Sequence, residues 1–247
     1  MEEYKHLIND YLVKNNQIMN RGFHAMSADY LNEVLHNLVP FERPDMYAVI
    51  GDAVVIIEHF EFDASRSTSK GMVGKQEEAH LRRRIKQAAP DGTWNIDAVN
   101  YEISFDNWKE NFERNFKVHY QKIEDYKLHV IEKLGHKAKI LTGFFIENQL
   151  PPLVEIGKAF YELSYSHTRQ FAQFYRSHLA VDFILFGGCY NGHPQIEYID
   201  HESLRECSGY VDLTRSDVKI SRLNKNEVVC YGCFLFSTED GWGEEVN

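Results

Sequence analysis

Pro44-Asp45-Met46-Tyr47-Ala48-Val49-Ile50-Gly51-Asp52-Ala53-Val54-Val55-Ile56-Ile57-Glu58-His59-Phe60-Glu61-Phe62 is the stretch that decides how this chain reads. Two runs rich in Val, Ile and Phe, Met46 to Ile50 and Ala53 to Phe62, flank Gly51-Asp52, which is the composition of a tight β-hairpin. With Gly51 and Asp52 as the turn, Ile50 pairs with Ala53, and counting outwards sets Asp45 opposite Glu58. Directly opposed residues hold their Cβ atoms about 4.5 to 5.5 Å apart on one face, so this register brings two carboxylates together. They repel, and a proton, a basic side chain or a hard divalent cation such as Mg²⁺ is needed to offset the repulsion. The cation is the expectation. It depends on register, because a bulge between Val54 and Glu58 would turn one carboxylate to the other face. By the same period of two, His59, Glu61 and Asp63 alternate away from Glu58 and read as a solvated or partner-facing edge, with His59 a reserve ligand.

Upstream, Glu3 to Asn15 reads as a helix and Ser27 to Asn37 as a second, capped by Ser27 or Asp29, before the turn-rich Val39-Pro40-Phe41-Glu42-Arg43-Pro44. Downstream, Lys75 to Ala88 reads as a helix ended by Pro90-Asp91-Gly92. From Phe105, the residues Trp108, Phe112, Phe116, Tyr120, Ile123, Tyr126, Val130 and Leu134 recur at spacings of three and four, which predicts one long helix that Gly135 stops. Lys139 to Ile146, Val181 to Phe186 and Val228 to Phe236 read as strands, His167 to His178 as a helix, and Leu153 to Tyr165 also as a helix. That order predicts an α/β fold, a mixed central sheet flanked by helices, in a single domain over 1–247 with a helical insertion over 89–134.

The sequence is 247 residues long, with 37 Asp and Glu against 27 Lys and Arg and a formal charge of -10, which argues against a protein that coats polyanions by bulk positive charge. A local basic stretch stands out against that background. Arg66, Lys70, Lys75, Arg82, Arg83, Arg84 and Lys86 lie close together with only Glu77 and Glu78 to oppose them, and such side chains contact phosphates. The longest purely aliphatic run, Ala53 to Ile57, is far shorter than a membrane span, and the acidic start MEEYKHLIND is unlike a secretory signal; a cytoplasmic location is expected. Cys189, Cys207, Cys230 and Cys233 do not suggest a disulfide framework. Cys230-Tyr231-Gly232-Cys233 sits in a strand-like run that sends the two thiols to opposite faces, whereas zinc knuckles need a turn. There is no helical HExxH, Gly-rich phosphate loop or Gly-x-Ser-x-Gly elbow, so the enzyme classes built on them lose support.

Pro44-Asp45, a hairpin, and an apolar strand delivering Glu58 resemble the PD-(D/E)XK nuclease superfamily over roughly Ser27 to Lys86. The resemblance implies a restriction-endonuclease-like core in which Asp45 and Glu58 bind Mg²⁺ (or Mn²⁺) for hydrolysis of DNA or RNA, with Glu33 on the preceding helix completing the metal shell. A Lys two positions after the second acid assists the attacking water in that superfamily. Here Phe60 stands at that position, and the alternative Glu61-Phe62-Asp63 lacks the Lys as well. A Lys from a neighbouring element is therefore expected among Lys70, Lys75 and Lys86, with Lys75 first. Arg82, Arg83 and Lys86 would contact nucleic-acid phosphates. The alternative is a degenerate nuclease fold that binds nucleic acid or protein without catalysis. A third reading is an interaction protein whose aromatic helix near Phe105 to Leu134 packs on a partner or a second copy of the chain.

Overall fold

The Gly51-Asp52 hairpin forms in the register that its turn chemistry predicts, with Ile50 opposite Ala53 and Met46 opposite Ile57. The computed structural model describes residues 19–20, 26–68, 71–74, 76–77, 79–80, 83, 103–135, 139–148, 152–190, 193–206 and 209–220. In chain order these form β1 (Met19–Asn20), α1 (Ala28–His36), β2 (Val39–Pro40), β3 (Met46–Ile50), β4 (Ala53–Phe62), β5 (Ser67–Thr68), β6 (Gly71–Met72), α2 (Phe105–Tyr120) and α3 (Ile123–Leu134). There follow β7 (Lys139–Asn148), β8 (Leu153–Ile156), β9 (Ala159–Glu162), α4 (Arg169–Arg176), β10 (Phe183–Tyr190), β11 (His193–Asp200), α5 (Ser203–Glu206) and β12 (Val218–Ile220). The expected stretches Glu3 to Asn15 and Val228 to Phe236 lie outside the described residues. No described helix is long and apolar enough to cross a membrane.

Seven strands make one mixed sheet in the order β1-β11-β10-β7-β4-β3-β2. Strands β4, β7 and β10 are parallel neighbours, while β2, β3 and β4 form an antiparallel run at one side and β11 returns antiparallel to β10. This is the α/β class that the element order predicts. Alternation along β4 gives the sheet two different faces. Val55 and Ile57 point to one, where they pack with Met46, Ala48 and the buried Leu31, Val34 and Leu35 of α1. Val54, Ile56, Phe60 and Phe62 point to the other, beneath α2 and α3.

Helix α1 starts where Ser27 accepts the Tyr30 amide on its hydroxyl at 3.2 Å, and Ser104 caps α2 in the same way. The single long helix expected from the aromatic spacing is two helices, α2 and α3, with a break at Gln121-Lys122. The heptad-like repeat runs straight across that break, so spacing alone does not show it. Packing does: α2 sets the fully buried Trp108, Phe112 and Phe116 in the cluster that holds Phe60 and Phe62, whereas α3 sets Tyr126 and Val130 on Val54 and Ile56. Glu58 lies on β4 between those two apolar pairs, and the helical break falls above it. The helical stretch expected as an insertion is also the crossover that joins parallel β4 to β7, a connection that such a pair requires, and it supplies much of the core.

Leu153 to Tyr165, expected as a helix, is instead the hairpin β8–β9, in which Ile156 pairs with Ala159 around Gly157-Lys158 and β12 adds to the edge. Gly157 has φ of 66°, a left-handed conformation that favours Gly and turns the chain there. Where β4 ends, Asn111 of α2 is 1 % exposed and donates its amide to the carbonyls of Asp63 at 3.0 Å and Ser65 at 2.7 Å. Replacing Asn111 by Ala strands two carbonyls away from water. Chemical denaturation is expected to register a loss of about 1–3 kcal/mol; an unchanged midpoint would show that water reaches this joint.

Candidate metal centre and its cleft

Asp45 and Glu58 meet as the register requires. The Asp45 amide donates to Glu58 Oε2 at 3.2 Å, and the His59 amide donates to Asp45 Oδ2 at 2.8 Å. Glu58 is 8 % exposed and Asp45 is half-buried. Burial first, and the Glu58 carboxylate second, raise the Asp45 carboxyl above the ordinary range of an aspartate; the His59 amide, His59 and His119 oppose the rise. Repulsion between the two acids is thus only partly offset by the protein.

The side chains that offset it come from the break between α2 and α3. Glu58 Oε1 accepts from Tyr126 Oη at 2.5 Å and pairs with His119 Nδ1 at 2.7 Å. Tyr126 is held protonated, because burial and then its bond to Glu58 push the phenol well above its ordinary value. A carboxylate only accepts, so His119 presents Nδ1–H to Glu58. His119 stacks on Phe60, with ring centroids 5.1 Å apart and planes 8° from parallel. Phe60, at the position where the resembled motif carries Lys, therefore sets an imidazole beside Glu58.

Glu58 opens on a cleft of about 640 Å³ lined by Arg43, Lys122, Tyr126 and His129, with Glu42, Asp125 and Glu132 also on its wall. Arg43 and Lys122 are exposed and make no ion pair among the described residues. Among the described residues, the Lys and Arg side chains on this cleft's wall come from the β2–β3 loop and the start of α3, elements that the basic stretch of the sequence did not indicate. Lys75, Arg82 and Lys86 lie outside the described residues, and Lys70 does too. Arg83 lines a separate cleft of about 650 Å³ beside β6, with Gln76 and His80. Glu33 does not join the pair: it is exposed on α1, which packs on the opposite face of the sheet from Asp45 and Glu58.

That opposite face carries a second group. His59, Glu61 and Glu147 each offer one ligand atom within 4.8 Å of the others. His59, expected at a solvated edge, is 8 % exposed, and its Nε2 lies 2.8 Å from Glu147 Oε2. Asp63, expected there too, is 2 % exposed and accepts the Ser65 amide and hydroxyl at 2.8 and 2.6 Å. The edge reading fails because β7 pairs with β4 as far as Phe62, and the end of β4 lies under α2, whose Asn115 and Asn111 donate to the carbonyls of Glu61 and Asp63. Protein-family models, curated proteins and solved structures, compared with this chain, return no match.

Proposed function

We propose that the protein is a metal-dependent phosphodiesterase of the nuclease type, with Asp45 and Glu58 holding Mg²⁺ or Mn²⁺ and nucleic acid as the substrate class. The observation that carries this reading is the carboxylate pair itself, set on one sheet face by the hairpin register, with Glu58 on the wall of a cleft that also holds Arg43 and Lys122. The donors fit the ion: both are carboxylates, the oxygen ligands that hard divalent ions prefer, and Asp45 Oδ1 makes no hydrogen bond among the described residues. A metal there stabilises charge on a phosphate and makes a bound water more acidic. The chain does the rest. Arg43 and Lys122 attract the phosphodiester backbone, and Tyr126, His119 and the Asp45 amide hold Glu58 in place.

A second reading, nucleic-acid binding without cleavage, is favoured by how fully Glu58 is already engaged, with Oε1 accepting from two side chains. One assay separates them. Single- and double-stranded DNA and RNA are incubated with the protein in Mg²⁺, in Mn²⁺ and in chelator. Cleavage that needs metal, and that falls at least about 10²-fold in Glu58→Gln, is the expected result. A gel shift without cleavage, together with no heat of Mg²⁺ binding, would favour the binding module instead. With neither, both readings fall.

A further inference from the structure

We infer that His59, Glu61 and Glu147 form a second cation site, distinct from the Asp45–Glu58 pair, for a first-row transition ion such as Mn²⁺. The parallel pairing of β4 and β7 makes Glu61 and Glu147 register partners, and His59 stands two residues before Glu61 on the same face. All three lie toward the C-terminal ends of parallel strands, where ligands of open α/β sheets gather. The sheet holds these side chains on rigid backbone.

Two features point to an ion rather than to a solvated acid patch. Glu147 is 3 % exposed and Glu61 is half-buried, so two carboxylates and the His59 ring that bonds Glu147 share a poorly hydrated place, where a bound cation lowers the repulsion between the acids. The imidazole then decides which cation. Ions of this row hold nitrogen and oxygen ligands at about 2.0–2.2 Å, which puts ligand atoms roughly 3 to 4.4 Å apart around one centre. The three atoms here lie within 4.8 Å of one another, a spread that small side-chain rotations close. One imidazole with two carboxylates suits Mn²⁺, Fe²⁺ or Zn²⁺ better than Mg²⁺, which keeps to oxygen and to its own waters. Glu61 supplies the way in from solvent.

Residue 59 serves both faces: its amide holds Asp45 while its ring meets Glu147. The test must therefore remove the first site before it counts the second. Mn²⁺ is titrated into the full-length Asp45→Asn protein, with free ion followed by electron paramagnetic resonance. One bound Mn²⁺ per chain is expected. Adding Glu147→Gln, which is nearly isosteric, or His59→Gln to that background is expected to weaken binding at least about a hundredfold. A circular-dichroism melt of each protein confirms that it is folded, and either double variant suffices. Absence of bound Mn²⁺ in Asp45→Asn, or equal affinity in a folded double variant, overturns the site. The readout is binding where the first site is disabled, so a wild type that cuts nothing would defeat the phosphodiesterase reading and leave this one standing.

Discussion

Asp45→Asn is expected to lose metal-dependent cleavage by at least about 10²–10³-fold and, at neutral pH, to melt at a higher temperature than the wild type. The two effects share one cause. Burial and the neighbouring Glu58 carboxylate both disfavour the Asp45 anion, so its carboxyl binds a proton more readily in the folded chain than in the unfolded one. A group whose folded-state value is raised in this way favours folding as pH falls through that value, and costs stability above it. Asn removes the charge but keeps an oxygen to accept the His59 amide.

The gain should be on the order of 1 kcal/mol or less, because Asp45 is only half-buried and solvent screens the repulsion. It should shrink on acidification, where the wild-type carboxyl is protonated too. It should also shrink in saturating Mg²⁺, which binds the wild type and not the variant. Melts of both proteins at neutral and acid pH, with and without Mg²⁺, check each step. A variant that melts lower than the wild type at neutral pH would show that the carboxylate is a structural anchor and not a strained ligand.

Phe116→Ala should be the most damaging of single core substitutions, at about 3–5 kcal/mol in urea denaturation. Phe116 is fully buried, and its ring meets Phe144 at 5.0 Å, Phe174 at 5.2 Å, His178 at 5.1 Å and Phe60 at 6.3 Å. It therefore joins α2 to β4, β7 and α4 at once. Val118→Ala, on a residue 45 % exposed on the same helix, should change stability by no more than about 0.5 kcal/mol. Phe116 also precedes His119 by less than one turn, so its loss should loosen the imidazole beside Glu58 and lower activity below what the folded fraction explains. A cost under about 1 kcal/mol would mean that the core refills the space, and would separate α2 packing from the site.

The parts of this molecule legible in one dimension are those whose causes lie a few residues apart. Gly51-Asp52 and the alternation around it specify the hairpin, its register and the meeting of Asp45 with Glu58, because turn chemistry and a period of two are local. Ser27 capping α1 and Gly135 ending α3 belong to the same class. The break between α2 and α3 does not, since apolar spacing is continuous across Tyr120 and Ile123 and only the buried acid beneath, flanked by two apolar pairs, gives each helix its own seat. Nor does the grouping of His59 and Glu61 with Glu147, which the parallel pairing of β4 and β7 brings together through a long helical crossover. His119 and Tyr126 reach Glu58, and Lys122 its cleft, by the same crossover, whereas Arg43 comes to that cleft on the loop before β3. Spacing along a chain specifies which face a side chain takes, while the packing of distant elements selects its company, and the chemistry of both clusters depends on that company.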